Sequence, residues 1–329
     1  MTQIAVIGAG PIAHRLLYSL VSIPDRSCRI VGVYDDRKTR IQQHCAGHRV
    51  MGGIEDLIWE IRSGYVDIVI LALPLSADRR IQEILERLGT VAVDIRICPD
   101  QFGLQLGRFE VSNFGGSSVL NVLDRPVRHW REVAKAVEDR VLAFLILLLI
   151  SPLLCVIAIA IKWDSPGPVF FRQNRWGYNN RIFKMLKFRT MHHAMTDHDA
   201  VRLVSQGDAR VTRLGRFLRR TSLDELPQFI NVLRGEMSIV GPRAHALAVR
   251  AGELLYQDAV RNYDARHRVK PGITGWAQVN GWRGETRTVE QIVRRVEHDL
   301  YYIQNWSVVM DLKIIFRTIW GGFTGPLAY

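Results

Sequence analysis

The chain has 329 residues, room for about two domains at roughly 100 to 200 residues each. Its 48% hydrophobic and 23% charged content excludes collagen-like, disulfide-scaffold and disordered classes. Lys and Arg number 44 against 32 Asp and Glu, a formal charge of +12, and the excess lies wholly in the second part: residues 1–139 hold 17 basic and 17 acidic side chains, residues 140–329 hold 27 and 15.

Met1 opens directly onto a strand pattern, without the charged and apolar regions of a secretory signal, so the amino-terminal part is expected to stay in the cytosol. Cys28, Cys45, Cys98 and Cys155 are scattered singly. With no C-x-x-C pair and no metal-ligand spacing, neither disulfides nor zinc are expected. The apolar run 3–7 leads into Gly8-Ala9-Gly10-Pro11-Ile12-Ala13, a G-x-G-x-x-A turn followed by a helical pattern through Leu16, Leu17 and Leu20. A second run, 30–34, ends in Asp35-Asp36, where dinucleotide folds place a ribose-binding acid. Runs 66–73 and 91–97 alternate with helical stretches 54–61 and 79–88. That rhythm predicts an α/β fold with a parallel, doubly wound, Rossmann-like sheet. Two readings of the glycine turn stay open. One is a bound nucleotide, its pyrophosphate at the helix start by Gly8 and Gly10 and its ribose on Asp35 or Asp36; the other is a scaffold whose glycines only permit tight packing. Pro11 suits a first helical position, yet it removes an amide that could face a phosphate. No catalytic constellation accompanies the turn, which argues against a dehydrogenase.

Residues 141–161 read VLAFLILLLISPLLCVIAIAI, uncharged and long enough for about 30 Å of helix, the scale of a bilayer. Ser151-Pro152 falls mid-way, where proline removes a backbone hydrogen bond and predicts a kink or break. Arg125, Arg128, Arg131, Lys135 and Arg140 precede the segment, and Lys162, Arg172, Arg175 and Arg181 follow it. The positive-inside rule pulls both ends to the cytosol. A helix that enters, bends and returns satisfies both flanks if the freed backbone groups find partners such as the Ser151 hydroxyl; the alternative is a proline-kinked span.

Residues 170–220 carry twelve Lys or Arg and only Asp197, Asp199 and Asp208 as acids, a field suited to phosphates. No nucleic-acid motif is present, so lipid phosphate is the natural partner. Next, Arg219-Arg220-Thr221-Ser222-Leu223-Asp224-Glu225-Leu226-Pro227-Gln228 enters an apolar helical run. Ser222 with Glu225 fits a capping box; Asp224 as the cap would put Pro227 in the first turn, and this second reading is preferred. Either way two adjacent carboxylates sit at a helix start beside paired arginines, a nucleophile and metal site or simply a cap with a first-turn acid. Gly241-Pro242-Arg243 and Lys270-Pro271-Gly272-Ile273-Thr274-Gly275-Trp276 are turns carrying a cation, weak signals in isolation. The cluster His192, His193, Asp197, His198 and Asp199 reads as a solvated loop. Residues 306–323 look amphipathic, either a membrane-surface helix or a core helix.

Together these residues resemble the bacterial sugar transferase family, the monotopic polyprenyl-phosphate sugar-1-phosphate transferases that start exopolysaccharide, capsule or O-antigen repeat synthesis. The resemblance runs from Val137 to about Phe323. It rests on the Ser151-Pro152 break, on Asp164-Ser165-Pro166-Gly167-Pro168-Val169-Phe170-Phe171-Arg172-Gln173, on Lys187-Phe188-Arg189-Thr190-Met191, on the segment around Asp224-Glu225, on Met237-Ser238-Ile239-Val240-Gly241-Pro242-Arg243 and on 270–275. The amino-terminal part resembles the Rossmann-like domain that larger members carry. The expected organisation is a Rossmann-like domain over 1–125, a linker over 126–139, a re-entrant helix over 140–162 and a mainly helical catalytic domain over 163–329.

The resemblance implies that a UDP-sugar gives its sugar-1-phosphate to undecaprenyl phosphate at the cytoplasmic face of the bacterial inner membrane, releasing UMP, with magnesium required. Position by position, it implies that Asp224 is the nucleophile of a phospho-sugar enzyme intermediate, that Glu225 and Asp224 hold the metal, and that Arg219 neutralises phosphate. Lys187, Arg189, Arg243, Lys270 and Thr274 would line the phosphates and the uridine side. A homodimer is the expected assembly. Two departures stand out: larger members begin with several transmembrane helices, and their Pro-Arg-Pro is here Pro242-Arg243-Ala244, which loosens the turn carrying Arg243. The rival function is a membrane-anchored nucleotide-sensing module, which would have no need of Asp224-Glu225 among phosphate-gripping cations.

Overall fold

The computed structural model describes residues 2–22, 28–37, 44–74, 76–98, 111–114, 117–123, 130–193, 208–247, 250–251, 254–260, 263–284 and 288–321. It divides into two compact units, Met1–Arg125 and Pro126–Tyr329.

The first unit runs β1 (Thr2–Ile7), α1 (Pro11–Ser22), β2 (Cys28–Tyr34), β3 (His44–Cys45), β4 (His48–Gly52), α2 (Ile54–Ser63), β5 (Ile68–Leu71), α3 (Asp78–Leu88), β6 (Asp94–Ile97), β7 (Val111–Phe114) and β8 (Ser117–Leu123). The sheet order is β3-β4-β2-β1-β5-β6-β8-β7. β1 pairs in parallel with both β2 and β5, so the winding reverses beside β1 and opens a crevice at the carboxyl ends of these strands. Alternate residues of β1 serve opposite faces. Ile4 and Val6 pack with Leu16 and Leu17 of α1, while Ala5 and Ile7 pack with Leu57 and Ile61 of α2 and Ile84 of α3. Burial on both faces is why these strands read as continuous apolar runs.

The second unit begins with α4 (Trp130–Asp164), followed by β9 (Phe170–Trp176), β10 (Ile182–Phe188), α5 (Arg213–Arg220), a 3₁₀ turn (Leu223–Glu225), α6 (Gln228–Leu233) and β11 (Ser238–Val240). Then come β12 (Arg250–Ala251), β13 (Leu254–Leu255), α7 (Tyr256–Ala259), a 3₁₀ segment (Tyr263–Arg268), β14 (Gly272–Thr274), α8 (Trp276–Val279), α9 (Val289–Asn305) and α10 (Val308–Gly321). β9 and β10 form an antiparallel hairpin.

Residues 130–139, read from the sequence as linker, are the first turns of α4. At Ser151-Pro152, where the sequence predicts a kink or break, α4 stays helical through Pro152 and is not split into two helices. The reason is local. Pro152 has no N–H to give to the Leu148 carbonyl four residues back, and the Ser151 hydroxyl donates to that same carbonyl at 2.8 Å. Both halves of α4 pack on one body. Ala143 joins the core with Met237, Val240 and Ile303, and Ile157 and Ile161 join Phe188 and Leu218. The amino-terminal end is further tied by Lys135, which bridges Asp139 and Asp311 at 3.0 and 2.6 Å, and by Asp139, which accepts from Ser238 Oγ and Ile239 N at 2.9 Å each. The apolar middle, Leu145, Leu148, Leu149 and Val156, stays exposed. α10 serves two environments: Asp311 and Ile314 are fully buried, while Val309, Phe316, Ile319 and Trp320 lie exposed on the outer side.

Candidate active site

Three elements converge on the paired carboxylates. α5 is anchored at its start, where Thr212 Oγ1 accepts from Gly215 N at 2.9 Å and a Cβ on Gly215 would come within 2.1 Å of the Thr190 carbonyl. At the other end of α5, Arg219 Nε donates to Thr190 Oγ1 at 2.8 Å. The chain then turns through Ser222, whose φ of 57° lies in the left-handed region, a conformation L-residues enter at a cost. Arg283 Nη2 donates to the Ser222 hydroxyl at 2.8 Å, which helps hold that turn. Neither predicted cap forms: Asp224 and Glu225 occupy the 3₁₀ turn, α6 starts only at Gln228, and Ser222 makes no side-chain cap bond. Glu225 is instead spent on cations from distant segments, so it does not close a capping box.

Glu225 Oε1 accepts from Lys187 Nζ at 2.8 Å and from Arg243 Nη2 at 2.6 Å, and its Oε2 accepts from Arg243 Nη1 at 3.2 Å. Lys187 is delivered by β10, which Asn231 of α6 pins at its edge. Asn231 accepts from Leu186 N and donates to the Lys184 carbonyl, both at 2.9 Å. Burial alone would push the Glu225 carboxyl up, but Arg243 and Lys187 outweigh it and hold the group well below the usual carboxylate range. Asp224 goes the other way. Burial pushes its carboxyl up to about 6, against Lys187, with the like charge of Glu225 adding to the rise and Arg219 and Arg243 opposing it. The neighbouring carboxylates are thus driven apart, as expected where two acids carry different roles. Arg175 faces the same cluster, where burial first and the like charge of Arg243 second lower it to about 10.

Of the residues singled out in the sequence, Asp224, Glu225, Lys187, Arg219 and Arg243 are brought together. The other three go elsewhere. Arg189 caps the end of α4, its guanidinium donating to the carbonyls of Pro166 (2.9 Å), Ser165 (2.6 Å) and Ile161 (3.3 Å). Lys270 lies against the start of α4, where burial and then Arg140 lower its pKa, and Thr274 shares a 2.7 Å hydrogen bond with Thr318 of α10. Sequence reasoning missed Arg283, which holds the Ser222 turn, and Arg175 as a member of the charged cluster. Asp197, His198, Asp199, Arg125 and Arg128 lie outside the described residues.

No group of three or more His, Cys, Asp or Glu able to hold a metal occurs among the described residues. Magnesium does not need one: one or two carboxylates plus substrate phosphates and water suffice. Asp224 and Glu225, adjacent and set among Lys187, Arg219 and Arg243, fit that donor set.

In the first unit, a cavity of about 600 Å³ is lined by Gly8, Gly10, Arg15, Asp35, Arg37 and Arg80 among others. Gly8 has φ 101°, and a Cβ there would meet the Ala72 carbonyl at 2.8 Å, so the first glycine is required by packing. Asp35 is engaged within the protein. Its Oδ2 accepts from Ala9 N and Arg37 Nη2, its Oδ1 from Arg37 N and Nε. Burial would raise its carboxyl, but these bonds hold it below the usual range.

Residues 130–325, more than half of the chain, match the model for bacterial sugar transferases, and residues 2–99 match that for a CoA-binding domain. The UDP-glucose:undecaprenyl-phosphate glucose-1-phosphate transferase of Escherichia coli (strain K12) is 43% identical over 328 residues, covering 99% of this chain and 69% of the relative. The undecaprenyl-phosphate glucose phosphotransferase of Komagataeibacter xylinus is 43% identical over 318 residues, 96% of this chain and 58% of the relative. The UDP-glucose:undecaprenyl-phosphate glucose-1-phosphate transferase of Xanthomonas campestris pv. campestris is 42% identical over 322 residues, 96% and 65%. The chain therefore spans 58 to 69% of the length of these relatives. With the Asp224-Glu225 pair set among Lys187, Arg219 and Arg243, and with the match covering every element that builds this site, the chain belongs to the bacterial sugar transferase family.

Proposed function

We propose that this enzyme transfers a sugar-1-phosphate, glucose-1-phosphate in the first instance, from a UDP-sugar to undecaprenyl phosphate, as the initiating step of exopolysaccharide synthesis. The observation that carries this reading is Asp224: buried, without a hydrogen bond to its carboxylate among the described residues, and acted on by three cations. Its neighbour is already locked by two of them. An Asp224 oxygen attacks the sugar-linked phosphorus, the bond to the bridging oxygen breaks, and UMP leaves with that electron pair. A phosphate oxygen of the lipid then attacks the same phosphorus and returns the Asp224 carboxylate. Lys187, Arg219 and Arg243 neutralise the diphosphate while leaving the nucleophile unprotonated, and Glu225 keeps Lys187 and Arg243 aimed until substrate arrives. Magnesium held by these carboxylates and the diphosphate would add charge neutralisation at the leaving phosphate. The test is to offer the purified protein a panel of UDP-sugars with undecaprenyl phosphate and magnesium. UMP release with UDP-glucose is expected; no release with any UDP-sugar would overturn the reading.

The membrane geometry follows from α4, the one helix among the described residues long and apolar enough to cross a bilayer, with 11% of its most apolar window buried. Because one globular unit grips both of its halves, we propose that both flanks share the cytoplasmic side and that the exposed middle dips into the bilayer. The outer face of α10, with Phe316 and Trp320, suits the interface. Single cysteines near Arg140 and near Lys162, in a variant lacking the native cysteines, are both expected to resist an impermeant reagent in intact cells. Labelling of one end only would establish a span.

A further inference from the structure

Arg243 reaches Glu225 from a segment that lacks the second proline of the usual turn. Its backbone is held by buried side chains instead. Arg266, 1% exposed, donates from Nη2 to the Arg243 carbonyl at 2.7 Å. The same guanidinium donates to Asp299 Oδ2 of α9 from Nε at 3.1 Å and Nη2 at 2.7 Å. Its Nη1 lies 2.6 Å from His245 Nδ1 and 3.1 Å from the Tyr263 hydroxyl, and it stacks over the Tyr263 ring at 5.3 Å. His245 is two residues beyond Arg243, so the guanidinium touches the segment twice. Arg175 donates to the next carbonyl, Ala244, at 3.2 Å. Burial, then the charges of Arg266, Arg295 and Arg175, hold His245 far below its usual pKa, so the imidazole is neutral, and its Nδ1 is shared between Arg266 Nη1 and the Tyr263 hydroxyl, 2.5 Å away.

We infer that Arg266, braced by Asp299 of α9, is a positioning residue for Arg243. Its planar fork fixes the backbone at 243 and the ring at 245 together, so that the Arg243 guanidinium is aimed at Glu225 and, on loading, at the diphosphate of the nucleotide sugar. The inference rests on the proposed transfer reaction. Arg266 touches neither carboxylate of the pair; it acts through Arg243. A planar donor set matters here, since an ammonium could hold Asp299 but could not reach both the carbonyl and the imidazole.

The experiment is a double-mutant cycle in the full-length protein. Arg266→Met combined with Asp299→Leu removes the buried ion pair as a unit, which avoids leaving one charge unpaired in the interior. Arg266→Lys, which keeps a charge for Asp299, is measured beside it in case the double variant does not fold. With Arg243 present, either change is expected to lower kcat/KM for the UDP-sugar on the order of 100-fold, the scale of a slight misplacement of a binding group. The kcat/KM for undecaprenyl phosphate should stay unchanged, since in the two-step reaction it reports only the second attack. In an Arg243→Ala background the same change should cost less than about 3-fold, because its effect runs through the missing side chain. Equal losses in both backgrounds would mean a merely structural role, and no loss with Arg243 present would mean no role; either result overturns the inference. Wild-type enzyme assayed alongside separates this from failure of the transfer reading, which would show as absent wild-type turnover.

Discussion

Asp224→Asn enzyme is expected to lose turnover by on the order of 10⁴-fold or more, yet to melt a few degrees above wild type at pH 8. The two effects share a cause. The Asp224 carboxyl is buried beside the ionised Glu225 and is raised from 3.8 to about 6, so at pH 8 the folded protein carries a charge in a place that disfavours it. A raised acid binds more protons folded than unfolded, so its contribution to stability is lost as pH rises from about 4 through about 6. Asn removes that penalty and keeps the shape. The melting difference should therefore open above pH 6 and close below pH 4, amounting to about 1–3 kcal/mol at the top of the window. Wild-type kcat/KM should fall on the acid side with an apparent pKa near 6, since protonation would silence Asp224 in its proposed role as nucleophile. Enzyme mixed with UDP-glucose and no lipid should carry a phospho-sugar on the peptide holding Asp224. Near-normal turnover by folded Asp224→Asn enzyme would shift the chemistry to direct attack by the lipid phosphate.

How much of this was legible in the sequence depended on the range of the interactions involved. The strands and helices of the first unit were readable because a sheet buried on both faces needs apolar runs, and 3–7, 54–61 and 79–88 coincide closely with β1, α2 and α3. The short hairpin β3–β4 and the pair β7–β8 carried no such run. In the second unit, local rules pointed to Asp224 and Glu225 but placed them wrongly at the start of α6. Cap patterns weigh only neighbours, and Glu225 answers to Lys187, 38 residues earlier, and to Arg243, 18 later. Arg189 shows the same limit. It follows Lys187 by two residues, but the strand ends at Phe188, and its side chain turns to the open carbonyls at the end of α4. Proline in a helix predicts a break when the backbone alone is considered; the Ser151 hydroxyl fills the orphaned carbonyl and the helix continues. Arg266 and Asp299, 33 residues apart, left no mark on the sequence at all.

Glu225→Gln should reveal the other half of the pair, with the pH dependence reversed. Here the carboxyl sits well below 4.5 because Arg243 and Lys187 outweigh burial, so its stabilisation is present above pH 4.5 and is lost as pH falls through the folded-state value. Removing the charge leaves two cations facing each other. The cost at pH 7 should be about 2 kcal/mol, less than for a wholly dry pair because the Arg243 side chain is 34% exposed. The gap between wild type and Glu225→Gln should narrow below pH 4, where the gap for Asp224→Asn has already closed. Catalysis should change in a way that no simple loss of folded protein could mimic. With the like charge gone and Lys187 and Arg243 released toward Asp224, the acid limb of kcat/KM should move below 6, and the magnesium needed for half-maximal rate should rise because the proposed metal site loses a charge. Titrating magnesium at several pH values on variant and wild type checks both shifts. If neither the acid limb nor the magnesium requirement moved while the rate fell, Glu225 would be a structural partner of Arg243 and Lys187 alone, and metal binding would have to rest on Asp224 and the substrate.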